Sequence, residues 1–331
     1  MRVSILAYDG CLAAEIFGLA DVLLIANRIA RLQQPRDAEP FQVTVIGVRG
    51  DSVQAAGGVR LGVQAPHPAC DLLVAPAFDV AGLADIGRVL GGLGPEIAFL
   101  ARAASRGPVA AVCGGAFLLG EAGLLAGRRA TTAWAFAPEL ARRYPTALID
   151  LDAMLVRDGP VTTTGAFSAA HDLAQELVRE RAGDDLARAL GKFTLLDGAR
   201  ASQAPYLDAR MLAGPREGFS QGIIRWLEAR LAEPYSLERL AAAFHVSSRT
   251  LLRRFKAETG RTPLEQLQDL RIGRAKHLLE STDLGLAQVA EQIGYLDLST
   301  FSRLFARKAD LTPSAYRRRF RPRAKLVSGW T

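Results

Sequence analysis

Between Ser236 and Phe320 the sequence repeats itself at an offset of about fifty residues, and few architectures satisfy such a repeat. Leu251-Leu252-Arg253-Arg254-Phe255 returns as Phe301-Ser302-Arg303-Leu304-Phe305, His245-Val246-Ser247 returns as Tyr295-Leu296-Asp297, and Thr262-Pro263 returns as Thr312-Pro313. Ser247 and Asp297 each bring a side-chain oxygen to the point where a new helix needs its N-cap. The Thr-Pro pairs set a capping threonine before a proline at the first helical position, where the missing N–H costs nothing. The chain therefore builds one small helical device twice.

Each copy reads as two short helices joined by a tight turn. In the first, Leu237, Leu240, Ala241 and Phe244 hold helical spacing, His245-Val246 makes the corner, and a second helix carries Leu251, Leu252 and Phe255 inward. Ser248, Arg249, Arg253 and Lys256 remain outside. In the second copy Leu286, Val289, Ala290 and Ile293 pack, Gly294-Tyr295 turns the chain, and Phe301, Leu304 and Phe305 face inward. Ser299, Thr300, Arg303 and Arg307 remain outside. Between the copies, Leu264 to Ser281 is one amphipathic helix fit to act as a rigid spacer. A second helix that presents arginines and hydroxyls fits a DNA major groove, where arginine bridges guanine N7 and O6 and apolar groups meet thymine methyls. A single such pattern is often only two packed helices with a solvated basic face. Two copies with matched caps, turns and basic outer faces argue against that reading.

These residues resemble the AraC/XylS type of transcription regulator over about a hundred positions, through "LERLAAAFHVSSRTLLRRFKAETGRTP" and "RIGRAKHLLESTDLGLAQVAEQIGYLDLSTFSRLFARKADLTPSAYRRRF". The resemblance implies that Ser248, Arg249, Leu252 and Arg253 of the first recognition helix, and Leu298, Ser299, Thr300 and Arg303 of the second, lie toward bases. Arg254, Lys256, Arg307, Arg317 and Arg318 are then expected on phosphates, which position without reading sequence. Asp310 stands where the family usually has glycine. Aspartate tolerates a left-handed conformation less well, so a departure is expected at that helix end.

Charge follows the same division. From Arg216 onward the chain has 21 basic and 12 acidic residues, a net +9 against −2 for the remainder. That is the footprint expected of a phosphate-backbone binder, although charge alone does not separate DNA from RNA or an acidic membrane. The three cysteines, Cys11, Cys70 and Cys113, have no metal-site or disulfide spacing and fit a reducing cytoplasm. No signal-peptide pattern and no bilayer-length apolar run is present, so a cytoplasmic protein without cofactor or metal is expected.

The first half alternates short apolar runs with helical stretches. Val3–Tyr8, Phe41–Val48, Asp71–Ala75 and Val109–Val112 read as strands, and Glu15–Ala30, Pro95–Ala104, Phe117–Ala122 and Ala169–Arg181 as helices. Their alternation predicts a mostly parallel sheet covered on both faces, with any ligand beyond the strands' C-terminal ends. At one such end Pro108 to Val112 runs into Cys113-Gly114-Gly115-Ala116 and then an apolar helix. A strand turning sharply into a helix leaves its corner residue exposed, and a helix N-terminus favours a thiolate. Cys113 is placed as a nucleophile would be, or else is a small residue that fits the corner.

"VCGGAFLLGEAGLLAGRRATTAW", with "YDGCLAAEIFGLADVL" before it and "TTTGAFSAAHDLAQELV" after it, resembles the PfpI/ThiJ or class-I glutamine-amidotransferase-like superfamily, and more narrowly the GlxA-type regulators. The resemblance implies a flavodoxin-like α/β fold, with Cys113 as the elbow cysteine, Glu15 as its acidic partner, and dimerisation through this domain. The family's histidine would fall at Ala133, before Trp134. Without a general base, typically worth 10²–10⁴-fold, a pocket at Glu15, Cys113, Gly114 and Ala133 is expected to bind a ligand rather than turn it over. The alternative is a cysteine-dependent hydrolase or lyase with an appended DNA-binding domain.

The expected organisation is an α/β flavodoxin-like parallel-sheet domain over 1–192, a linker over 193–215, an all-α domain with two helix-turn-helix motifs over 216–320, and a basic tail over 321–331. Promoter DNA is the expected partner, together with a second copy of the chain. A small-molecule effector and RNA polymerase are further candidates.

Overall fold

A computed structural model describes residues 1–33, 39–67, 70–196, 198, 200–208 and 218–321. The chain divides into two compact units, Met1–Gln203 and Ala204–Thr331. Of the stretch expected as a linker, 193–194 lie in a helix, and 197, 199 and 209–215 fall outside the described residues. Residues 322–331 of the expected basic tail fall outside them as well.

In chain order the first unit runs β1 (Arg2–Ala7), α1 (Ala13–Gln33), β2 (Gln42–Gly47), β3 (Ser52–Gln54), β4 (Arg60–Gly62), β5 (Leu72–Ala75), α2 (Ile86–Gly92), α3 (Gly94–Ala104), β6 (Val109–Ala111), α4 (Ala116–Glu121), β7 (Arg129–Ala130), α5 (Ala137–Arg143), β8 (Leu148–Ile149), β9 (Leu155–Asp158), β10 (Val161–Thr164) and α6 (Ala169–Thr194). The main sheet has the order β2-β1-β5-β6-β10-β9. All its pairings are parallel, with Val3 opposite Val43 and Leu72, and Val109 opposite Leu73 and Val161, except that β9 joins β10 antiparallel at the edge. Because helices cover both faces, β5 and β6 read as unbroken apolar runs, and β1 from Val3 onward is interrupted only by Ser4. The strand β10, Val161-Thr162-Thr163-Thr164, is also wholly buried. Its hydroxyls hide it from a hydropathy reading, while β-branching suits it to the pleat.

Two helices differ from expectation. Helix α1 is longer than Glu15–Ala30, and α6 runs past Arg181 to Thr194, interrupted where Gly183 turns to φ 85°. The neighbours of β1 are β2 on one side and β5 on the other. The chain thus leaves β1 in one direction and returns on the opposite side, which opens a crevice at the C-terminal ends of β1 and β5.

The second unit opens with a single short turn, Ala204–Tyr206, and continues with α7 (Phe219–Glu228), α8 (Leu237–Ala243), α9 (Ser248–Thr259), α10 (Pro263–Ser281), α11 (Leu286–Gln292), α12 (Leu298–Ala309) and α13 (Pro313–Phe320). Helix α7 ends at Glu228. The helix-turn-helix pairs are α8–α9 and α11–α12. They pack into separate cores: Ile223, Leu227, Leu240, Leu251, Phe255 and Leu267 in one, and Ile272, Leu279, Val289, Phe301, Phe305 and Tyr316 among the residues of the other.

The expected caps are present. Ser247 Oγ accepts the Thr250 N–H at 3.2 Å, and the Asp297 carboxylate accepts the N–H groups of Ser299 and Thr300 at 3.2 and 2.7 Å. Thr262 and Glu265 cap each other reciprocally, and Thr312 Oγ1 accepts the Ala315 N–H at 3.3 Å. Asp310 takes the left-handed conformation at φ 51°, as Gly260 does at φ 72° in the first copy, so the second recognition helix ends as the first does.

The turns correct the sequence alignment of the repeat. His245 has φ 53° and its counterpart in conformation is Gly294 at φ 83°, not Tyr295. Val246 N–H bonds back to the Ala241 carbonyl, and Tyr295 N–H does the same to Ala290. The second turn therefore carries one extra residue, Leu296, which is fully exposed. The offset is 49 through the turn and 50 beyond it.

Candidate functional site

The sharp turn after β6 is built as the sequence implies. Cys113 has φ 53°, in the left-handed region that costs a residue with a Cβ roughly 1–2 kcal/mol. Gly115 has to be glycine, since a Cβ there would collide with the Ala75 carbonyl and lie 2.8 Å from that of Pro76. Glu15, in the first turn of α1, is 2 % exposed, and its Oε2 accepts the Ala77 N–H at 2.7 Å. The Cys113 side chain lies close enough for the two groups to shift each other's ionisation. The ends of β1, β5 and β6 thus converge on one carboxyl–thiol pair in the crevice. Glu15 Oε1 and Thr164 Oγ1 are buried without a protein partner.

The electrostatics depart from expectation. Cys113 is not exposed at the top of the sheet but 5 % accessible, and burial, reinforced by the charge of Glu15, pushes its thiol up to about 12. The backbone N–H groups of Gly114 and Phe167 pull in the opposite direction and are outweighed. The dipole assistance inferred from the helix is small because α4 has only six residues and a single 3₁₀ turn precedes it. Desolvation likewise raises Glu15 to about 8. At neutral pH the pair is a carboxylic acid beside a thiol. Ala133 is buried and offers only its carbonyl, which accepts the N–H groups of Phe136 and Ala137 at 2.8 and 3.1 Å. His171 bonds the Ser168 carbonyl, and a Cβ at Gly18 of α1 would meet its ring at 3.0 Å.

Two residues of this site were not foreseen. Thr132 Oγ1 donates to the Cys113 carbonyl at 2.7 Å. Gln203, 1 % exposed at the end of the first unit, accepts the N–H groups of Trp134 and Ala166 and donates to the Thr132 and Ala153 carbonyls at 2.9 and 3.0 Å. Gln203 lies in a Pro- and Gly-rich stretch that reads as linker. Only its partners, about 40–70 positions away in the chain, show what it does.

In the second unit Leu251 and Phe255 of α9, and Phe301, Leu304 and Phe305 of α12, face the cores. On the opposite side of α9 Arg249, Arg253 and Lys256 are exposed, with Ser248 and Leu252 half-buried. On α12 Leu298, Ser299, Thr300, Arg303 and Arg307 are all exposed. Arg303 leans on Thr300 Oγ1 at 3.4 Å. The residues considered for phosphate contact divide. Arg254 pairs with Glu258 at 2.9 Å and lies over the Phe219 ring, and Arg317 donates to the Leu284 carbonyl at 2.6 Å. Lys256, Arg307 and Arg318 point outward.

Residues 240–319 match the helix-turn-helix domain family, and residues 97–180 match the DJ-1/PfpI family. The HTH-type transcriptional regulator GlxA of Rhizobium meliloti is 30% identical over 215 residues, covering 64% of this chain and 65% of that protein, just under two thirds of its length. The HTH-type transcriptional regulator CdhR of Pseudomonas aeruginosa is 29% identical over 301 residues, covering 88% of this chain and 84% of that protein. A solved AraC family transcriptional regulator from Pseudomonas putida superposes with a TM-score of 0.45 at 23% identity, over 58% of this chain and 98% of that one. With a DJ-1/PfpI domain ahead of a doubled helix-turn-helix, the chain belongs to the AraC-type DNA-binding transcription regulators of this fused architecture.

Proposed function

We propose that this regulator acts in the cytoplasm as a homodimer on promoter DNA, that α9 and α12 read two successive major-groove segments, and that the Glu15–Cys113 crevice holds a small effector without turning it over. The reading is carried by the two recognition helices, which expose hydroxyls and arginines on equivalent faces while their apolar residues fill separate cores. Ser248, Arg249, Leu252 and Arg253 on α9, and Leu298, Ser299, Thr300 and Arg303 on α12, contact base edges. Lys256, Arg307 and Arg318 neutralise phosphates. Arg254 and Arg317 join them only by leaving the partners they hold in the free protein.

Dimerisation through the first unit is supported by an apolar strip on α1, where Phe17 and Leu24 are 45% and 44% exposed two turns apart. The effector reading is supported by the unpartnered, buried Glu15 Oε1 at the topological switch point between β1 and β5. RNA polymerase contact belongs to the regulator's output and has no surface of its own in this reading.

Genome-wide DNA capture by the full-length protein tests the proposal, repeated with an Arg253→Ala, Arg303→Ala double variant. One enriched two-part motif, lost in the variant, is the expected result. Capture without any motif, or the same motif from the variant, refutes the placement of the recognition helices. A second reading, a cysteine-dependent hydrolase or lyase, draws on the strained φ of Cys113 and its contact with Glu15. A thiol raised to about 12 and the missing base at Ala133 weigh against it. Promoter binding that survives Cys113→Ser, with no thiol titrating near neutrality, separates the two.

A further inference from the structure

The two helix-turn-helix cores share no buried residue among those described. No shared buried apolar residue therefore fixes the angle between them, and among the described residues α10 is the helix that contributes to both. The crossing lies between Leu267 and Leu270, which face the first core, and Ile272, which belongs to the second. Two charged residues sit at that crossing, and each ties both halves together.

Asp269 lies between the C-terminal ends of the two recognition helices. Its Oδ2 accepts Arg261 Nη1 at 2.7 Å, from the residue just after the Gly260 cap of α9, and its Oδ1 accepts Lys308 Nζ at 2.6 Å, from the last turn of α12. Arg271 lies at the other end of α12. Although a cation, it is 7 % exposed, because Nε and Nη2 donate to the carbonyls of Leu231 and Glu233 at 2.8 Å each. Those carbonyls belong to the α7–α8 loop of the first half. The guanidinium also stands 5.1 Å over the ring of Tyr295, in the turn of the second half. Beside it the backbone of Gly294 approaches that same loop so closely that a Cβ would lie 2.7 Å from the Ala232 oxygen.

We infer that Asp269 and Arg271 are positioning residues that lock the two recognition helices at one separation and angle, and so dictate the spacing between the two half-sites the protein accepts. The inference rests on the reading of α9 and α12 as base readers. Neither residue touches DNA in this role. One base pair of added spacing moves a half-site by about 3.4 Å along the axis and turns it by about 34°. A locked pair follows neither displacement, whereas a pair joined only by α10 bends to meet it. Breaking a buried or half-buried charge pair on one side also leaves the other charge without its partner, so mild variants are preferred.

The experiment selects a two-part site for the full-length protein from random duplex DNA, then measures binding to that site with spacing changed by −1, 0, +1 and +2 base pairs. Wild type is expected to lose about tenfold or more at each altered spacing, which corresponds to at least about 1.4 kcal/mol. Asp269→Asn and Lys308→Met, together and with Arg271→Met, are expected to cut that loss to about threefold or less. The base preferences within each half-site should remain those of wild type. A variant that is only less stable lowers affinity at every spacing alike and leaves the ratio unchanged. Should Arg271→Met not fold, the Asp269→Asn and Lys308→Met pair decides the matter by itself. Variants with the wild-type spacing ratio overturn the inference, as does a wild-type protein indifferent to spacing. If wild type selects no two-part site at all, the underlying reading of the recognition helices fails instead.

Discussion

Replacing Glu15 by glutamine should change how the stability of the first unit responds to pH. The Glu15 carboxyl titrates near 8 in the folded protein, against an ordinary value of 4.5, chiefly because burial penalises its charged form. Between those two values the folded chain holds a proton that the unfolded chain has released. Stability therefore falls as pH rises, by up to about 1.4 kcal/mol per unit. Over the whole interval this amounts to roughly 3–5 kcal/mol, a large share of the 5–15 kcal/mol typical of a domain. The contribution is fully present below about 4.5 and gone above about 8. Cys113, raised from 9 to about 12, adds a like trend only at higher pH, so the two do not overlap.

Glutamine keeps the acceptor for the Ala77 N–H and a donor for the thiol but does not ionise. Urea unfolding of the full-length chain, followed by hydrogen exchange in β5 and β6 from pH 5 to 8, should show wild type losing ground to Glu15→Gln steadily across the range. Parallel curves would mean that Glu15 is ionised and solvated in the folded state, and that the crevice is not as dry as its burial implies.

Arg253→Ala and Arg303→Ala should each cost about 1–3 kcal/mol on the selected site and relax specificity at one base position, read as the ratio of specific to random binding. Unchanged ratios would show that these arginines meet phosphates. Gly294→Ala should destabilise the second unit by about 2 kcal/mol or more, because it adds a positive φ to a collision with Ala232. Gly260→Ala, with nothing within 4 Å of its Cβ, should cost only about 1 kcal/mol, and equal losses in thermal unfolding would contradict this. Gly115→Ala should disrupt the elbow and lower the stability of the first unit by about 1–3 kcal/mol, while leaving the melting of the second unit unchanged.

The doubled motif, its four caps and its inward apolar residues were legible in the sequence because each depends on neighbours within about four positions, the range over which helix geometry acts. The strand-to-helix turn at Cys113 was legible for the same reason. Tertiary structure decided the rest. An extra residue in the second turn cannot be seen in a repeat with an average period of fifty, since Tyr295 and Gly294 both stand near His245 until backbone conformation separates them. The state of Cys113 depended on burial, which overrode the local dipole argument. The buried strand β10 was masked by its threonines. Gln203, Asp269 and Arg271 look like ordinary polar residues in the chain. They acquire their roles only when folding brings distant partners within about 3 Å, because a hydrogen bond or ion pair acts at contact range whatever the separation in sequence.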